Sequence, residues 1–477
     1  LWLKHRHKSG ILASFVIIFF FTYAHIYTLT EPLAYFVIDL HKHRYLIALL
    51  LLVAVTIGLL LKRADSETTA MLGKVANFIT IVLIILPLSS LVLGLKSESE
   101  LLDSPTPQPG NFTIKQKEDF PDIYNFILDG YGREDALKKS LAFDNSEFIQ
   151  ALRERDFYVA DSSYANYSQT LLSITSSLNL SYLQDIYTPK EESFSKFKEL
   201  FRKNKAVETL NQLGYRTIST STGYDFTNTV NTQVQISPAF EYNEFETIIL
   251  NSTPLPPLLN SVWLRETLGE QIPANMFAQH RSRMNFAFDR VGYLSQNYNE
   301  PLFAFVHIML AHPPFVFDSK GNPITPPGPF RGYFPREGHT SESYTRAYAI
   351  AYKEQVEYGN KRMLNLIDTV LQEKNDRKKI IILQGDHGSR SNNPLAGPIT
   401  KSDLEEQFSI LNAYYVSGET SYDFLYKGIS PVNTFRVIFD RYLGLRYGLL
   451  KDISYFSYPH DRFNYINAND SLDLKIN

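Results

Sequence analysis

The chain of 477 residues contains no cysteine. That absence excludes disulfide bonds, zinc sites built on thiolates, and cysteine nucleophiles. It does not fix the compartment, but it suits a domain that faces an oxidising space. Aromatic residues, by contrast, are abundant, with 30 Tyr and 33 Phe. A chain of this composition can build a large core, so global disorder is not expected.

An excess of basic residues is also absent. The 47 Lys and Arg side chains are balanced by 50 Asp and Glu, and the formal net charge is -3. This balance gives no reason to expect nucleic acid as a partner. The length allows two or three domains.

Three apolar runs lie within the first hundred residues, at residues 10–29, 45–61 and 75–95. A helix needs about 20 apolar residues to cross the ~30 Å core of a bilayer. The first and third runs reach that length, and the second is slightly short. A buried hairpin of a soluble protein is the alternative, but three runs so close together favour a membrane region. Because the chain begins at Leu1 rather than Met, either its start is unusual or some N-terminal sequence is missing from it.

The distribution of basic residues predicts how these segments are oriented. Three Lys or Arg residues stand at positions 4–8, before the first run, and three more at positions 62–74, between the second and third. The positive-inside rule places both groups in the cytoplasm, although Lys42 and Arg44 weaken the asymmetry. Three crossings then put everything after the third run in the periplasm or the extracellular space. We therefore expect a multi-pass membrane protein.

The composition changes twice after the membrane region, and these changes predict the domains. Residues 1–96 form the transmembrane region, and residues 97–120 form a linker rich in Ser, Pro and acidic residues without apolar periodicity. Residues 121–477 have the composition of a globular domain. That segment is longer than a usual single core, so we expect insertions or a small C-terminal subdomain.

Short apolar runs in the globular part alternate with helical patterns. The runs cover residues 123–128, 303–308, 379–383 and 409–416, and helical patterns cover residues 193–214 and 352–372. Continuous apolar runs of this kind are typical of parallel strands that are buried on both faces. The alternation predicts an α/β fold with a largely parallel central sheet. Ligands in such sheets bind beyond the carboxyl ends of the strands.

Polar residues follow two of these strands directly. Asp129 follows the first and precedes Gly130, whereas Asp386 and His387 follow the third and precede Gly388. Two carboxylates and an imidazole suit a divalent metal such as Zn²⁺ or Mn²⁺, with Mg²⁺ or Ca²⁺ as the alternatives. Read separately, Asp129 could cap a helix and Asp386 could belong to a polar turn. The occurrence of both motifs at strand ends favours a metal site.

A hydroxyl-rich segment, "NYSQTLLSITSSLNLSYL", lies between the two motifs at residues 166–183. Its apolar spacing is helical after Thr170, which places Thr170 at or near a helix start. Phosphate is favoured there, because free backbone N–H groups and the helix dipole face it. A threonine hydroxyl becomes a good nucleophile only when a base or metal activates it. An ordinary threonine cap is the alternative for Thr170, and Ser173 is the strongest rival as nucleophile.

Taken together, these motifs resemble the membrane-bound branch of the sulfatase-like group in the alkaline phosphatase superfamily. Lipoteichoic acid synthases and lipid A phosphoethanolamine transferases belong to that branch. The matching elements occur in the same order: membrane helices, a linker, "NFILDGYGR", "NYSQTLLSITSSLN", "HPPF" and "LQGDHGSR". The resemblance covers essentially the whole chain, except for insertions such as residues 240–273.

The resemblance implies a role for each matching residue. Asp129 matches the first metal ligand, and Asp386 and His387 match the remaining ligands. Thr170 matches a nucleophilic hydroxyl that also contacts the metal. His312 matches a histidine that contacts the transferred group or its leaving group.

The sequence departs from the main group of sulfatases in two ways. Those enzymes need a Cys or Ser that is oxidised to formylglycine and is followed by Pro and Arg, whereas Leu-Leu-Ser-Ile follows Thr170. They also carry paired aspartates at the first strand, whereas Gly130 follows Asp129. Both differences favour phosphoryl chemistry. A second metal site is not evident, although His307, His339 and His460 are spare candidates.

The sequence therefore predicts an enzyme that moves a phospho-alcohol head group, of the phosphoglycerol or phosphoethanolamine type, from a membrane lipid to a surface glycan or lipid. Thr170 would carry the covalent intermediate, and His312 would protonate the leaving oxygen or orient the phosphate. Arg390 would clamp the phosphate, unless it is a solvated turn residue. The alternatives are a phosphatase or phosphodiesterase, a sulfatase, and a metal-free scaffolding protein.

Overall fold

The structure is a computed structural model of the chain. It describes residues 6–30, 42–78, 80–81, 120–188, 194–239, 244–259, 276–326, 341–373, 375, 377–391 and 399–472. The chain divides into two compact units. The first unit comprises residues 1–108 and 244–275, and the second comprises residues 109–243 and 276–477.

The helices in this part of the chain are α1 (Arg6–Leu29), α2 (His43–Arg63), α3 (Glu134–Leu141), α4 (Ser146–Arg153), α5 (Thr170–Asn179), α6 (Phe194–Arg202), α7 (Lys205–Gln212), α8 (Asp225–Asn228), α9 (Glu244–Ser252), α10 (Leu255–Leu259), α11 (Met276–Arg290), α12 (Ser341–Gln372), α13 (Lys401–Phe408) and α14 (Pro431–Ile438). The strands are β1 (Asp122–Leu128), β2 (Tyr158–Val159), β3 (Arg216–Thr220), β4 (Val234–Ile236), β5 (Leu302–Ile308), β6 (Lys379–Gly385), β7 (Asn412–Val416), β8 (Tyr455–Tyr458) and β9 (Asp461–Asn467).

Helices α1 and α2 of the first unit form an antiparallel pair. Lys8, near the start of α1, donates a hydrogen bond to the carbonyl oxygen of Ala64 at 2.5 Å, just beyond the end of α2. At the opposite end, the Tyr23 hydroxyl is hydrogen-bonded to Nδ1 of His43 at 2.8 Å. A lysine beside the last carbonyl groups of a helix also complements the helix dipole. Both helices are long and apolar enough to cross a membrane.

Two further segments complete the description of the first unit. Residues 66–78 are helical and contain the start of the third predicted span, whereas most of that span, like most of the predicted linker, lies outside the described residues. The insertion that includes α9 and α10 groups with the N-terminal helices. Helix α9 packs against α1. The unexplained insertion is therefore part of the unit that holds the apolar helices.

The second unit is built on a seven-stranded sheet with the strand order β2-β7-β6-β1-β5-β3-β4. β1 lies at its centre and pairs in parallel with β5 and with β6. β3 pairs in parallel with β5 and β4. The predicted α/β fold with a largely parallel sheet is confirmed.

The direction of β7 differs from the prediction. It begins at Asn412 and runs antiparallel to β6. Leu411, just before it, accepts a hydrogen bond from the backbone N–H of Gly385 at the end of β6. The chain therefore enters the sheet at the carboxyl edge and can only run back along it. An apolar run that is buried on both faces carries no information about this direction.

Helices cover both faces of the sheet, which explains why β1 is buried along its whole length. On one face, Tyr124 and Phe126 pack in a cluster with Tyr352 of α12. On the other, Ile127 packs in a cluster with Leu172 of α5. Burial of each such side chain stabilises the fold by about 1.5–3 kcal/mol.

The predicted helical stretch at residues 193–214 is divided into α6 and α7. Asn204 lies between them and is fully buried. Its side chain accepts a hydrogen bond from the backbone N–H of Val207 at 3.0 Å and donates one to the carbonyl oxygen of Phe201 at 2.9 Å. Asn204 therefore caps α7, as asparagine commonly does.

The turn after β1 requires glycine at position 130. Gly130 has a φ of 72°, and a Cβ atom there would lie 2.9 Å from the carbonyl oxygen of Ala311. Ala311 follows β5, and its backbone N–H is bonded to the carbonyl oxygen of Asp129 at 3.0 Å. The loops after the two central strands are thus closely packed.

We predict that Gly130→Ala destabilises the protein more than Gly418→Ala does. Gly418 also has a positive φ, of 73°, but a Cβ atom there would meet nothing within 4 Å. The free energy of unfolding of the control, Gly418→Ala, should fall only by the cost of placing a residue with a Cβ atom in the left-handed region, about 1–2 kcal/mol. The free energy of unfolding of Gly130→Ala should fall by at least about 1 kcal/mol more, because its new Cβ atom also collides with the backbone of Ala311. Urea unfolding of the two variants measures the difference, and equal losses would contradict the close packing.

Candidate active site

The register of the two central strands brings the predicted metal ligands together. Leu128 of β1 pairs with Gly385 of β6, so Asp129 and Asp386 leave the sheet side by side. Nε2 of His387 lies 3.5 Å from Oδ1 of Asp129 and 3.7 Å from Oδ2 of Asp386. All three side chains are buried.

Thr170 completes this group. It is the first residue of α5, as the sequence pattern predicts. Its hydroxyl oxygen lies 3.2 Å from Nε2 of His387 and 3.4 Å from Oδ2 of Asp129. Gln169, the capping residue before it, has an extended backbone, and its side chain donates to Ser457 instead of capping the helix. No side chain in the described ranges therefore caps the first N–H groups of the helix, which begin at Thr170 itself.

The donor atoms fit a divalent metal. Zinc bonds of about 2.0–2.1 Å in a tetrahedron place neighbouring ligand atoms ~3.3 Å apart, close to the distances found around His387. Oδ1 of Asp129 and Oδ2 of Asp386 are buried and have no hydrogen-bond partner among the described residues. Such oxygens are costly unless a cation compensates them. Nδ1 of His387 is 2.8 Å from the carbonyl oxygen of Gly388 and donates its proton there, which leaves Nε2 with a lone pair.

The electrostatics hold these groups in the states that bind metal. Burial alone would raise the pKa of Asp129, but His312, a hydrogen bond from His307 and the nearby His387 together bring that pKa below its usual range. Burial lowers the pKa of His387, although Asp386 opposes the shift. The site therefore presents the carboxylate of Asp129 and the neutral imidazole of His387 near neutral pH.

His307, which the sequence offered only as a spare candidate for a second metal site, lies within this group of residues and contacts Asp129. It lies on β5, and its Nε2 is 3.1 Å from Oδ2 of Asp129, while Nδ1 is 3.2 Å from the hydroxyl of Thr227. Donor atoms of His307, Asp129 and Asp386 all lie within 4.8 Å of one another. His307 is thus placed to orient Asp129 or to donate to a metal. The sequence signal was a histidine near the carboxyl end of an otherwise apolar strand.

The other two spare histidines do not join this group. His339 lies outside the described residues. His460 is exposed on the turn between β8 and β9, where its ring stacks on Tyr458 at 5.4 Å.

His312 and Arg390, the predicted substrate contacts, both lie near the group. The rings of His312 and His387 are 6.5 Å apart between centroids. Nδ1 of His312 is 2.6 Å from the carbonyl oxygen of Pro313. Arg390 donates to the carbonyl oxygen of Ser168, and its Nε is buried without a partner in the part of the chain that the structure describes. Burial lowers the pKa of Arg390, whereas the two aspartates oppose that shift, so its guanidinium is enclosed beside them rather than solvated.

Two buried residues of α11, His280 and Arg283, are neighbours that the sequence did not indicate. The Arg283 guanidinium packs against Gly223, in the loop after β3. Burial, together with the charges of Arg283 and His312, lowers the pKa of His280 to about 3. Both residues stand in an ordinary mixed helical sequence, so only the fold reveals their position.

Several solved structures are similar to this one. The C-terminal periplasmic domain of EcEptC from Escherichia coli, solved in complex with Zn, is 11% identical, with a TM-score of 0.46 over 78% of this chain and 100% of that chain. The lipoteichoic acid synthase LtaP from Listeria monocytogenes is 11% identical, with a TM-score of 0.41 over 75% of this chain and 84% of that one. Lipooligosaccharide phosphoethanolamine transferase A from Neisseria meningitidis is 11% identical, with a TM-score of 0.39 over 78% and 61%. No family model and no curated protein sequence matches the chain.

The state of His280 predicts how stability depends on pH. The unfolded chain takes up a proton near the ordinary histidine pKa of about 6.5, whereas folded His280 stays neutral down to about 3. Its contribution to stability is therefore complete above about pH 6.5 and is lost as pH falls towards 3, by up to ~1.4 kcal/mol per pH unit. The melting temperature of His280→Gln should therefore fall less steeply than that of the wild type as the pH is lowered from about 7 to about 5.

The matched control is His460→Gln, since that histidine is exposed. Its melting temperature should follow the pH dependence of the wild type. If the melting temperature of His280→Gln falls with pH as steeply as that of the wild type, His280 is not the buried neutral group that the fold implies.

Proposed function

We propose that the chain is a membrane-anchored, metal-dependent enzyme that transfers a phospho-alcohol head group from a membrane lipid to a surface glycan or lipid outside the cytoplasm. One observation carries the proposal. The hydroxyl of Thr170 lies at the start of α5, in contact with Asp129 and His387 and in front of free helix N–H groups. A nucleophile, a metal donor set and a phosphate-binding helix end thus share one space.

The residues present give Thr170 the help that a hydroxyl needs. A divalent metal held by Asp129, Asp386 and His387 would lower the pKa of the hydroxyl and offset charge on the phosphate oxygens. Thr170 Oγ1 then attacks the phosphorus in line with the bond to the lipid alcohol. The Oγ1 proton is released to solvent, and the bond from Oγ1 to phosphorus forms as the bond to the lipid oxygen breaks, which leaves the phospho head group on Thr170 as a phosphothreonine diester.

Ser173 is less suited to this role. It is buried, and its hydroxyl donates a hydrogen bond to the carbonyl oxygen of Asp386 at 2.7 Å. That contact ties the helix to the metal-ligand loop. The Thr170 side chain, in contrast, is only partly buried, and its hydroxyl contacts the metal donors directly.

His312 and Arg390 fit the remaining roles. His312 engages Pro313 through Nδ1, so Nε2 is the nitrogen left to give a proton to the leaving lipid oxygen. Arg390 lies beside Asp129 and Asp386, and its free Nε supports a contact with the non-bridging phosphate oxygens. In the second half of the reaction, an acceptor alcohol gives its proton to His312 and attacks the phosphothreonine, and the phospho head group passes to it as Thr170 leaves and takes a proton from solvent.

We predict that Thr170→Ala abolishes turnover, by at least about 1,000-fold, while the domain stays folded. Loss of the nucleophile removes the covalent step, whereas the fold should tolerate the change, because Thr170 is the first residue of the helix, is only partly buried, and alanine is the best helix former. Intact mass spectrometry of the wild type with phosphatidylglycerol or phosphatidylethanolamine should show an adduct of the matching head group on Thr170. The adduct should be absent in Thr170→Ala and after removal of metal with a chelator.

Two variants and one assay control this experiment. Thr170→Ser should retain some activity because the hydroxyl survives, and Ser173→Ala should lose less activity than Thr170→Ala. Head-group release into water despite a supplied acceptor would assign a hydrolase instead of a transferase. Full activity of both alanine variants on a substrate that the wild type processes would refute the covalent mechanism.

We also predict that the catalytic unit lies outside the cytoplasm, because both groups of basic residues in the membrane region are on the same side of the predicted spans. Alkaline phosphatase fused after Asn477, which is active only outside the cytoplasm, should give signal. Green fluorescent protein carried by the same secretory route should stay dark. The reverse pair of results would overturn the orientation.

A further inference from the structure

The residues that follow β6 carry most of the proposed chemistry but have no regular structure. We call residues 386–391 the ligand loop, since it contains Asp386, His387 and Arg390. No sheet hydrogen bonds fix this loop, and a metal site with about 0.5 Å of tolerance needs other support. The support comes from one end of helix α13.

Glu406 of α13 is buried and binds the ligand loop on both sides of Arg390. Its Oε1 accepts hydrogen bonds from the hydroxyl of Ser389 at 2.8 Å and from the backbone N–H of Ser391 at 2.7 Å. Its Oε2 accepts one from the hydroxyl of Ser391 at 2.9 Å. The two residues next to Arg390 are therefore held by one carboxylate.

The backbone beyond Glu406 holds the same loop and the loop after β1. The N–H of Gly388 donates to the carbonyl oxygen of Gln407 at 2.7 Å, and that of Arg133 donates to Ser409 at 3.1 Å. A Cβ atom on Gly388 would collide with the carbonyl oxygen of Glu406. Residues 406–409 thus form hydrogen bonds to both loops that carry the proposed metal ligands.

We propose that Glu406 is a positioning residue, which holds the ligand loop so that His387 stays in contact with Thr170 and Arg390 stays beside the two aspartates. This role rests on the proposed function only for its effect on turnover. The geometry explains why the residue is acidic, because a carboxylate offers acceptors alone and the loop presents three donors to it.

The electrostatics agree with that role. Burial raises the pKa of Glu406, and the hydrogen bonds from Ser391 and Ser389 oppose the shift. The carboxylate also lies close enough to Arg390 to stabilise its guanidinium. Hydrogen bonds to charged groups are about twice as strong as neutral ones, so this contact is well suited to hold a loop.

The test compares Glu406→Ala, Glu406→Gln and the control Glu405→Ala in the full chain in detergent. Glu405 is the adjacent residue, and it pairs with Lys139 instead of the loop. Hydrogen–deuterium exchange of the peptide covering residues 386–391 should be about 10-fold faster in Glu406→Ala and unchanged in Glu405→Ala. Zinc should bind about 10–100-fold more weakly to Glu406→Ala, as is common when a residue supporting metal ligands is lost.

Glu406→Gln should fall between the wild type and Glu406→Ala in both measurements, because its amide oxygen still accepts from the Ser391 N–H. Loop exchange and zinc affinity within twofold of the wild type in Glu406→Ala would overturn the proposal. Exchange that rises equally in β6 and the loop, in both Glu406 variants, would assign Glu406 to general stability and overturn it too. A wild type that transfers no head group would refute the proposed function, while exchange still decides the role of Glu406.

Discussion

Two buried carboxylates that point into one space impose the main constraint on this protein. Asp129 and Asp386 leave neighbouring strands side by side, and each has a buried oxygen without a partner among the described residues. Two like charges in a poorly solvated site are unfavourable without compensation. The cationic and neutral donors around them, Arg390, His307 and His387, provide part of it. The metal cation of the proposed function would supply the remainder.

The sheet is what makes so distant a pair meet. Asp129 and Asp386 are far apart in the sequence, but the parallel register of β1 and β6 places them at the same edge. That rule is general for parallel sheets, so the sequence predicted the fold class, the meeting of Asp129 with Asp386 and His387, and the helix start at Thr170. These features depend on local patterns: apolar runs, the polar residues that end them, and the onset of helical spacing.

Features set by long-range packing could not be predicted in this way. The direction of β7 depends on where α13 ends, which its apolar pattern does not encode. His280 and Arg283 lie near the site only because α11 packs beside the loop after β3. Glu405 and Glu406 are adjacent residues of the same type, yet Glu405 pairs with Lys139 at the surface and Glu406 is buried. A one-residue difference in helical phase separates them.

The path of the chain links the proposed chemistry to the membrane. The chain passes between the two units near residues 108, 243 and 275, since residues 244–275 belong with the apolar N-terminal helices. Under the proposed function, the donor lipid and the apolar helices would share one membrane. Anchoring an enzyme and its substrate in the same membrane raises their effective concentration without any new contact.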